Sequence, residues 1–446
     1  MPNNNNPMVD FGAPEKDNTI IKVIGVGGGG GNAVNHMYRE GIHDVSFVLC
    51  NTDNQALNDS PVPVLLQLGT EGLGAGNKPS KARQAAEESI DAITKMLSDG
   101  TKMTFITAGM GGGTGTGAAP VIARVSKQLD ILTVGIVTIP FKFEGKRKID
   151  QALDGVEEMA KHVDALLVIN NERLRSIYPD LTVLDAFGKA DDTLSVAAKS
   201  IAEIITNHGL INLDFNDVKT VLKDGGVAIM STGYGEGEGR VKQAIEDALN
   251  SPLLNDNDVF NAKKILLSIN FSNDANNQAG NAGLMMEEMN EVNDFMEKFG
   301  SDFEIKWGIG IDPELGKKVK VTILATGFGI ENVDGMNKRI QKHTQEEEEK
   351  LAREEEKAAE RDARRVLYYH DDNSYSITKR RPHIFLFRPE DLDNEEVILA
   401  VENTPTYKRT QQMVNELRRR IKNEQETARQ REEEEEDSVH GTISFA

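Results

Sequence analysis

Two glycine-rich segments and one acidic loop hold the residues of this sequence that could do chemistry. The first segment, Gly25-Val26-Gly27-Gly28-Gly29-Gly30-Gly31-Asn32, continues the β-branched run Thr19 to Val26 and leads into the helical pattern Ala33 to Arg39. The second, Gly109-Met110-Gly111-Gly112-Gly113-Thr114-Gly115-Thr116-Gly117, follows Met103 to Ala108 and leads into the helical Ala118 to Leu129. Glycine lets a turn approach a phosphate closely, and the N–H groups at a helix N-terminus point toward an anion. Two strand, glycine, helix units in one sheet can hold two ends of a polyphosphate. Gly25, Gly27 and Gly30 also satisfy the dinucleotide fingerprint, so a nicotinamide-dinucleotide enzyme with Asp53 as its ribose acid is the alternative. That alternative leaves the second segment and the acidic loop, Asn212 to Asp217, without a use. Neither segment contains the Gly-Lys-Ser/Thr of a P-loop, so phosphate charge falls to amide groups, helix dipoles and Mg²⁺.

These segments need strands and helices to position them. Apolar runs recur at Val45 to Leu49, Met103 to Ala108, Leu132 to Ile139 and Ala165 to Ile169, with helix-period segments such as Ser80 to Leu97 between them. Strands alternating with helices predict an α/β fold with a parallel sheet covered on both faces. Leu184, Phe187, Leu194, Ala197, Ile201, Ile204 and Ile205 then mark a long helix over 183–208, ended by Gly209. Strands expected at Val227 to Ser231, Ile265 to Phe271, Phe303 to Ile311 and Val319 to Ala325, with helices at Arg240 to Leu249 and Leu284 to Phe299, give a second, smaller α/β domain. The expected organisation is a disordered N-terminus (1–18), a first domain (19–182), a central helix (183–209), a second domain (210–330), a charged linker (331–396), the segment 397–409 and a charged extension (410–446).

Composition narrows the function classes. The 446 residues include 51 Lys and Arg against 72 Asp and Glu, a net charge of −21, and the short basic runs at Arg364, Arg380 and Arg418 are flanked by acids. An acidic chain repels phosphate backbones, so no nucleic-acid partner is expected. The single Cys50 excludes an internal disulfide framework and any cysteine-based zinc site. No apolar run approaches a membrane span and the N-terminus lacks a signal-peptide pattern, so a cytoplasmic protein without direct membrane insertion is expected.

Gly111 to Gly117 reads as the G-G-G-T-G-T-G signature of the tubulin superfamily, and the chain closely resembles its bacterial cell-division GTPases, the FtsZ family. The resemblance spans about Ile20 to Ile330 and includes Gly27 to Asn32, Asn51-Thr52-Asp53, Leu73-Gly74-Ala75-Gly76, Pro140 to Gly145, Ala190-Asp191 and Asn212 to Asp217. It implies a Rossmann-like, tubulin-type GTP-binding domain, a central helix, a smaller α/β domain and head-to-tail homopolymers in a ring at the midcell division site. Carried over by position, Gly28, Gly29, Gly30, Gly31, Asn32, Asn51, Asp53, Gly74, Ala75, Gly76, Gly111, Gly112, Gly113, Thr114, Gly115 and Thr116 are implied to bind phosphates or lie near the metal, with GTP and GDP as substrate and product and Mg²⁺ as cofactor. Glu144 matches a ribose contact, Lys148 stands where relatives commonly carry Arg, and Phe187, Asn171 and Asp191 match positions around the guanine. Lys cannot reproduce the arginine fork, which weakens the transfer to Lys148.

Asn212, Asp214 and Asp217 are the implied catalytic residues. Hydrolysis of GTP needs an aligned water and charge stabilisation more than a strong base, so the two carboxylates would position or polarise water. Asp217 alone also reads as the N-cap of a helix over Val218 to Leu222. If Asp191 lies at the guanine, a helix of more than about 20 residues rising 1.5 Å each carries the acidic loop roughly 30 Å away. The loop would then serve a neighbour's nucleotide, and such a heterologous contact generates filaments. Finally, Glu402 to Arg409 resembles the C-terminal peptide by which this family docks membrane-tethering and regulatory division proteins such as FtsA. Pro405, Tyr407, Lys408 and Arg409 would supply a bend, an aromatic anchor and charge.

Overall fold

The computed structural model describes residues 19–42, 44–206, 209–251, 259–272, 283–298, 303–333 and positions 335–337, 339, 353, 354, 357, 358, 360 and 361. The expected N-terminal segment 1–18, nearly all of the linker, the peptide 397–409 and the extension lie outside these residues. The chain divides into two compact units, Met1–Glu347 and Glu348–Ala446. In the second, the few described positions are helical and exposed.

The first unit is built on one sheet of eleven strands. In chain order these are β1 (Ile21–Val26), β2 (Val45–Asn51), β3 (Val64–Gln67), β4 (Met103–Gly109), β5 (Leu132–Ile139), β6 (Ala165–Asn170), β7 (Gly209–Ile211), β8 (Gly226–Glu236), β9 (Lys264–Phe271), β10 (Glu304–Ile311) and β11 (Lys318–Phe328). Their order across the sheet is β3-β2-β1-β4-β5-β6-β8-β11-β9-β10-β7. The strands β1 to β6 are mutually parallel, with Ile24 opposite both Val48 and Ile106, whereas β11 runs antiparallel to β8 and β9. Every residue of β1 and β5 is buried, as expected for strands covered on both faces. The second half is therefore not a separate sheet. Ala165 to Leu167 of β6 pair with Gly226 to Ala228 of β8 and join the halves.

The helices are α1 (Gly27–Glu40), α2 (Asn54–Asn58), α3 (Pro79–Glu88), α4 (Ile90–Leu97), α5 (Thr114–Gln128), α6 (Lys146–Ala160), α7 (Asn171–Ile177), α8 (Val183–Thr206), α9 (Phe215–Leu222), α10 (Arg240–Leu249) and α11 (Met289–Met296). One core, with Ile24, Ile106, Ile122 and Ile323, fills the sheet face under α5, and another, with Val34, Met37, Phe105, Leu194, Ile201 and Leu324, fills the face under α1 and α8. Both cores run through the two halves, which fixes the N-termini of α1 and α5 relative to the acidic loop. Cys50 is fully buried at the end of β2, where burial pushes its thiol up to about 12 and leaves it inert.

Several boundaries differ from the sequence reading. The pattern over 80–97 is two helices, broken at Ser89, whose hydroxyl donates to the Ala85 carbonyl and accepts from the Gly69 N–H. The described part of α8 ends at Thr206, and Gly209 opens β7 rather than closing the helix. A Cβ at Gly209 would stand 2.1 Å from the Ile309 carbonyl oxygen, so this glycine is required by strand pairing. The helix expected over Leu284 to Phe299 is described as helical only at Met289–Met296.

Candidate functional site

The glycine segments are largely helix. Gly27, in the left-handed region at φ 72°, ends the turn after β1 and opens α1, so Gly28 to Gly31 form its first turns rather than a loop. Likewise α5 begins at Thr114, and the true loop is Met110 to Gly113. The reason is backbone contact between the two units: a Cβ at Gly30 would lie 2.1 Å from the Thr107 carbonyl oxygen, and one at Gly115 2.4 Å from that of Gly109. Gly30 and Gly31 are buried in this packing, whereas Gly28, Gly29 and Asn32 are exposed. Gly28 has open space around its Cβ direction, as does Gly112. The two helix N-termini thus lie together, and their free N–H groups form an anion-accepting face.

The surrounding loops are tied to this face. Thr52 and Thr114 share a hydroxyl hydrogen bond of 2.7 Å. Asn51 is buried and its side-chain oxygen accepts the Asp53 N–H, while Asp53 Oδ1 caps α2 by accepting from Gln55 and Ala56. The loop from Gly69 to Gly76 reaches back through Gly74 N–H to the Thr52 carbonyl, with Gly74 and Gly76 both at positive φ. Ala75 packs against Gly113, where a Cβ would come within 2.8 Å of it. Thr116 is buried, and its hydroxyl accepts the Gly111 N–H at 2.9 Å. Gln151 of α6 had no part in the sequence reading, yet its amide donates to the carbonyls of Gly111 and Gly112 at 3.1 and 2.8 Å. It lies 40 residues away and has no motif, so nothing in its local sequence marks it.

Of the other residues expected around the nucleotide, Glu144 ends a short 3-10 turn and Phe187 stands on α8. Phe141, Phe143 and Phe187 form one ring cluster with centroids 5.2 to 6.2 Å apart, and Phe143 and Phe187 remain exposed. Phe143 is an aromatic surface the sequence reading passed over. Glu144 accepts the Phe141 N–H, and its other oxygen pairs with Lys148 Nζ at 3.2 Å, so the ammonium expected at ribose or phosphate is engaged by Glu144. Asn170 caps α7, and the next residue, Asn171, is buried with an Oδ1 that meets no donor among the described residues. Asp191 of α8 is half-buried, and desolvation pushes its carboxyl up to about 6, with His36 opposing and Asp192 reinforcing the shift. An unmet amide oxygen and a desolvated carboxylate are two acceptors. Guanine offers N1–H and an N2 amino group, whereas adenine presents a lone pair at N1.

The structure does not bring Asn212, Asp214 and Asp217 to this face. They follow β7, eight strand positions from β1, which at ~4.8 Å per spacing is roughly 38 Å along the sheet. The helix α8 that connects the halves has 24 residues, about 36 Å at 1.5 Å each. Asp214, not Asp217, is the N-cap of α9, and the two close a reciprocal box: Asp217 N–H donates to Asp214 Oδ1 at 2.9 Å, Asp214 N–H to Asp217 Oδ2 at 3.2 Å. The Asn212 side chain accepts the Gly209 N–H at 2.6 Å and shapes the loop. Partial burial would raise Asp217, but the Asp214 N–H and the Lys306 ammonium hold it below the usual carboxylate range.

Among the described residues no cluster of three or more His, Cys, Asp or Glu could hold a metal ion. Mg²⁺ fits such a face because it binds through substrate phosphates and water with one or two carboxylates, and Asp53, whose Oδ2 stays free of the α2 cap, is the carboxylate there.

Parallel strands feeding two glycine-opened helices whose N-termini lie together, with a long helix connecting them to a second half on the same sheet, are the architecture of a nucleotide-binding protein of the tubulin type. The family comparisons agree: residues 20–179 match the Tubulin/FtsZ family GTPase domain, 226–329 the FtsZ family C-terminal domain and 379–424 the FtsZ C-terminal model. The cell division protein FtsZ of Porphyromonas gingivalis is 51% identical over 418 residues, covering 90% of this chain and 87% of the relative. That of Coxiella burnetii is 46% identical over 327 residues, covering 72% and 82%. An empty FtsZ dimer structure from M. jannaschii superimposes with a TM-score of 0.63 at 40% identity, covering 69% of this chain and 88% of that one. The chain belongs to the FtsZ family of cell-division GTPases.

Proposed function

We propose that the chain binds GTP on the face formed by the first turns of α1 and α5 and hydrolyses it when the acidic loop of a neighbouring copy closes that face. It would thereby assemble head to tail into the filaments of the division ring. The observation that carries this reading is the placement of Asp214 and Asp217 beyond the far end of α8, out of reach of the subunit's own phosphate face. Exposed apolar residues stand at both ends: Leu73, Phe143 and Leu184 around the nucleotide face, Leu210 and Ile211 beside the acidic loop. Two different surfaces meeting make a heterologous contact, which propagates.

Gly28, Gly29, Gly112 and Thr114 would present amide groups to the phosphates, Asn51, Asp53 and the Gly74 to Gly76 loop would close the site, and Asn171 and Asp191 would accept from the guanine edge. Mg²⁺ would neutralise phosphate charge near Asp53. The neighbour's Asp214 has one carboxylate oxygen outside the capping box and would hold the attacking water, while Asp217 lends a fixed negative field. Hydrolysis removes the group that the loop clasps, so it weakens the contact that enabled it.

The test uses Asp214→Asn, which keeps a good N-cap while removing the charge, mixed with Asp191→Ala, which lacks a base acceptor. Each alone should turn over GTP slowly, and mixed filaments should recover activity at the junctions that join an intact loop to an intact face. Mixed filaments without recovery would sink the shared site. For the tail, the 379–424 match includes 397–409, and we propose that Pro405, Tyr407, Lys408 and Arg409 dock membrane-tethering and regulatory division proteins of the FtsA type. Deleting 397–409 should abolish tether binding in a pull-down and leave GTP turnover intact; lost turnover would refute a purely docking role.

A further inference from the structure

Lys306 stands where a cation does least for local stability. It lies on β10, opposite Leu266 of β9. Two residues on, a Cβ at Gly308 would come within 2.7 Å of the Leu213 side chain and 2.9 Å of the Ile211 carbonyl oxygen, so the bare glycine lets the acidic loop lie against the strand. Residues two apart share a strand face, which brings Lys306 up beside the first turn of α9. There its Nζ is 3.2 Å from Asp217 Oδ1.

A positive charge at a helix N-terminus opposes the helix dipole. The Asp214 and Asp217 box meets two N–H groups of this first turn, and a lysine ammonium, itself a donor, could meet none, so the helix does not call on Lys306. The other end shows the contrast: Lys264 of β9 donates to the Thr220 carbonyl at 2.8 Å, where a cation favours the dipole. Lys264 serves the helix. Lys306 serves the carboxylate.

We propose that Lys306 is a positioning residue for GTP hydrolysis: it fixes the Asp217 carboxylate in one orientation and keeps it ionised when a neighbouring subunit covers the loop and removes its water. This inference rests on the reading that the loop completes a neighbour's site. In the free subunit the two side chains are 37% and 27% exposed, and such pairs contribute little. Burial beneath a partner changes that balance, because a desolvated carboxylate without a counter-charge takes up a proton or resists burial. With Oδ2 on the Asp214 N–H and Oδ1 on Lys306, both oxygens of Asp217 are held, and among the described residues Asp214 Oδ2 has no partner. The division of labour follows: Asp214 meets the water, Asp217 sets the field, and Lys306 sets Asp217. The charged groups acting on Asp217 are Asp214 on its own turn and Lys306 on β10.

The experiment compares full-length Lys306→Met, Lys306→Gln and Lys306→Arg at saturating GTP and Mg²⁺, above the assembly threshold, reading turnover per assembled subunit, the threshold and the pH profile. The Met and Gln variants should lose about tenfold in turnover, with thresholds within about twofold. The acid limb of their profiles should move toward neutral pH as Asp217 loses its counter-charge, and Arg should restore both rate and limb. Saturating GTP keeps Asp191 out of the profile. Unchanged turnover, an unmoved limb, or a loss that Arg does not restore would each overturn the assignment, the last pointing to strand packing. If the Asp214→Asn and Asp191→Ala mixture fails to recover, the shared site itself is wrong; if the mixture recovers and Lys306→Met is fully active, only Lys306 falls.

Discussion

On the proposed function, Asp191 and Asn171 decide base identity through what they lack. Each is an acceptor withdrawn from water, one with its carboxyl pushed up from 3.8 to about 6 by desolvation and one with an unmet Oδ1. Because the folded carboxyl is raised, the nucleotide-free fold gains stability from its protonated form at low pH, and that gain is lost as pH rises through about 6. Nucleotide binding as proposed has the opposite demand, since the guanine donors would need the carboxylate. GDP affinity should therefore weaken as pH falls below about 6, by up to tenfold per pH unit. In Asp191→Asn, which retains an acceptor and cannot titrate, that dependence should vanish. Calorimetric titration of GDP from pH 5 to 8 checks it, and a wild-type affinity flat across the range would remove Asp191 from the base site.

At the scale of elements, the glycines divide into those that touch backbone and those that face outward. Gly30→Ala would drive a methyl to 2.1 Å from the Thr107 carbonyl oxygen and should destabilise the fold by about 3 kcal/mol or more, seen as a lowered melting temperature. Gly28→Ala meets nothing within 4 Å and replaces glycine in a helix, so the melting temperature should hold or rise by up to ~1 kcal/mol in equivalent stability. Its methyl instead enters the phosphate face, and GTP binding should weaken. Equal effects of both substitutions on the melting temperature would contradict the division. The distinction was not legible in the sequence, where both are glycines in one run. What was legible were the elements with long buried patterns, β1, β4, β5 and α8 among them. The edge strand β3 escaped because it is short and exposes Val64 and Leu65, and α6 because its buried Ala152, Leu153, Val156 and Met159 are spread among charges. Gln151 and Lys306 escaped for a different reason: their partners are distant in the chain, and a lone Gln or Lys carries no spacing to read.

For the molecule as a whole, the sheet decides what one subunit can do alone. Because β6 and β8 pair and both cores run through the two halves, the acidic loop cannot swing onto its own subunit's phosphate face without breaking a continuous sheet. With the N-termini of α1 and α5 at one end of this rigid body and Asp214 and Asp217 at the other, the proposed function makes each subunit half of two active sites. On that reading, turnover depends on encounter. GTP hydrolysis per subunit, with Mg²⁺, should be low below a threshold protein concentration and rise above it together with light scattering. A net charge of −21 adds a second dependence. Subunits of like sign repel at low ionic strength, with a screening length of about 30 Å at 0.01 M and about 8 Å at 0.15 M. The threshold should therefore fall as monovalent salt rises through that range, with hydrolysis and scattering moving together. Turnover per subunit that is constant with concentration and accompanied by no scattering would mean that each chain contains a complete site. The separation along α8 would then have no catalytic meaning.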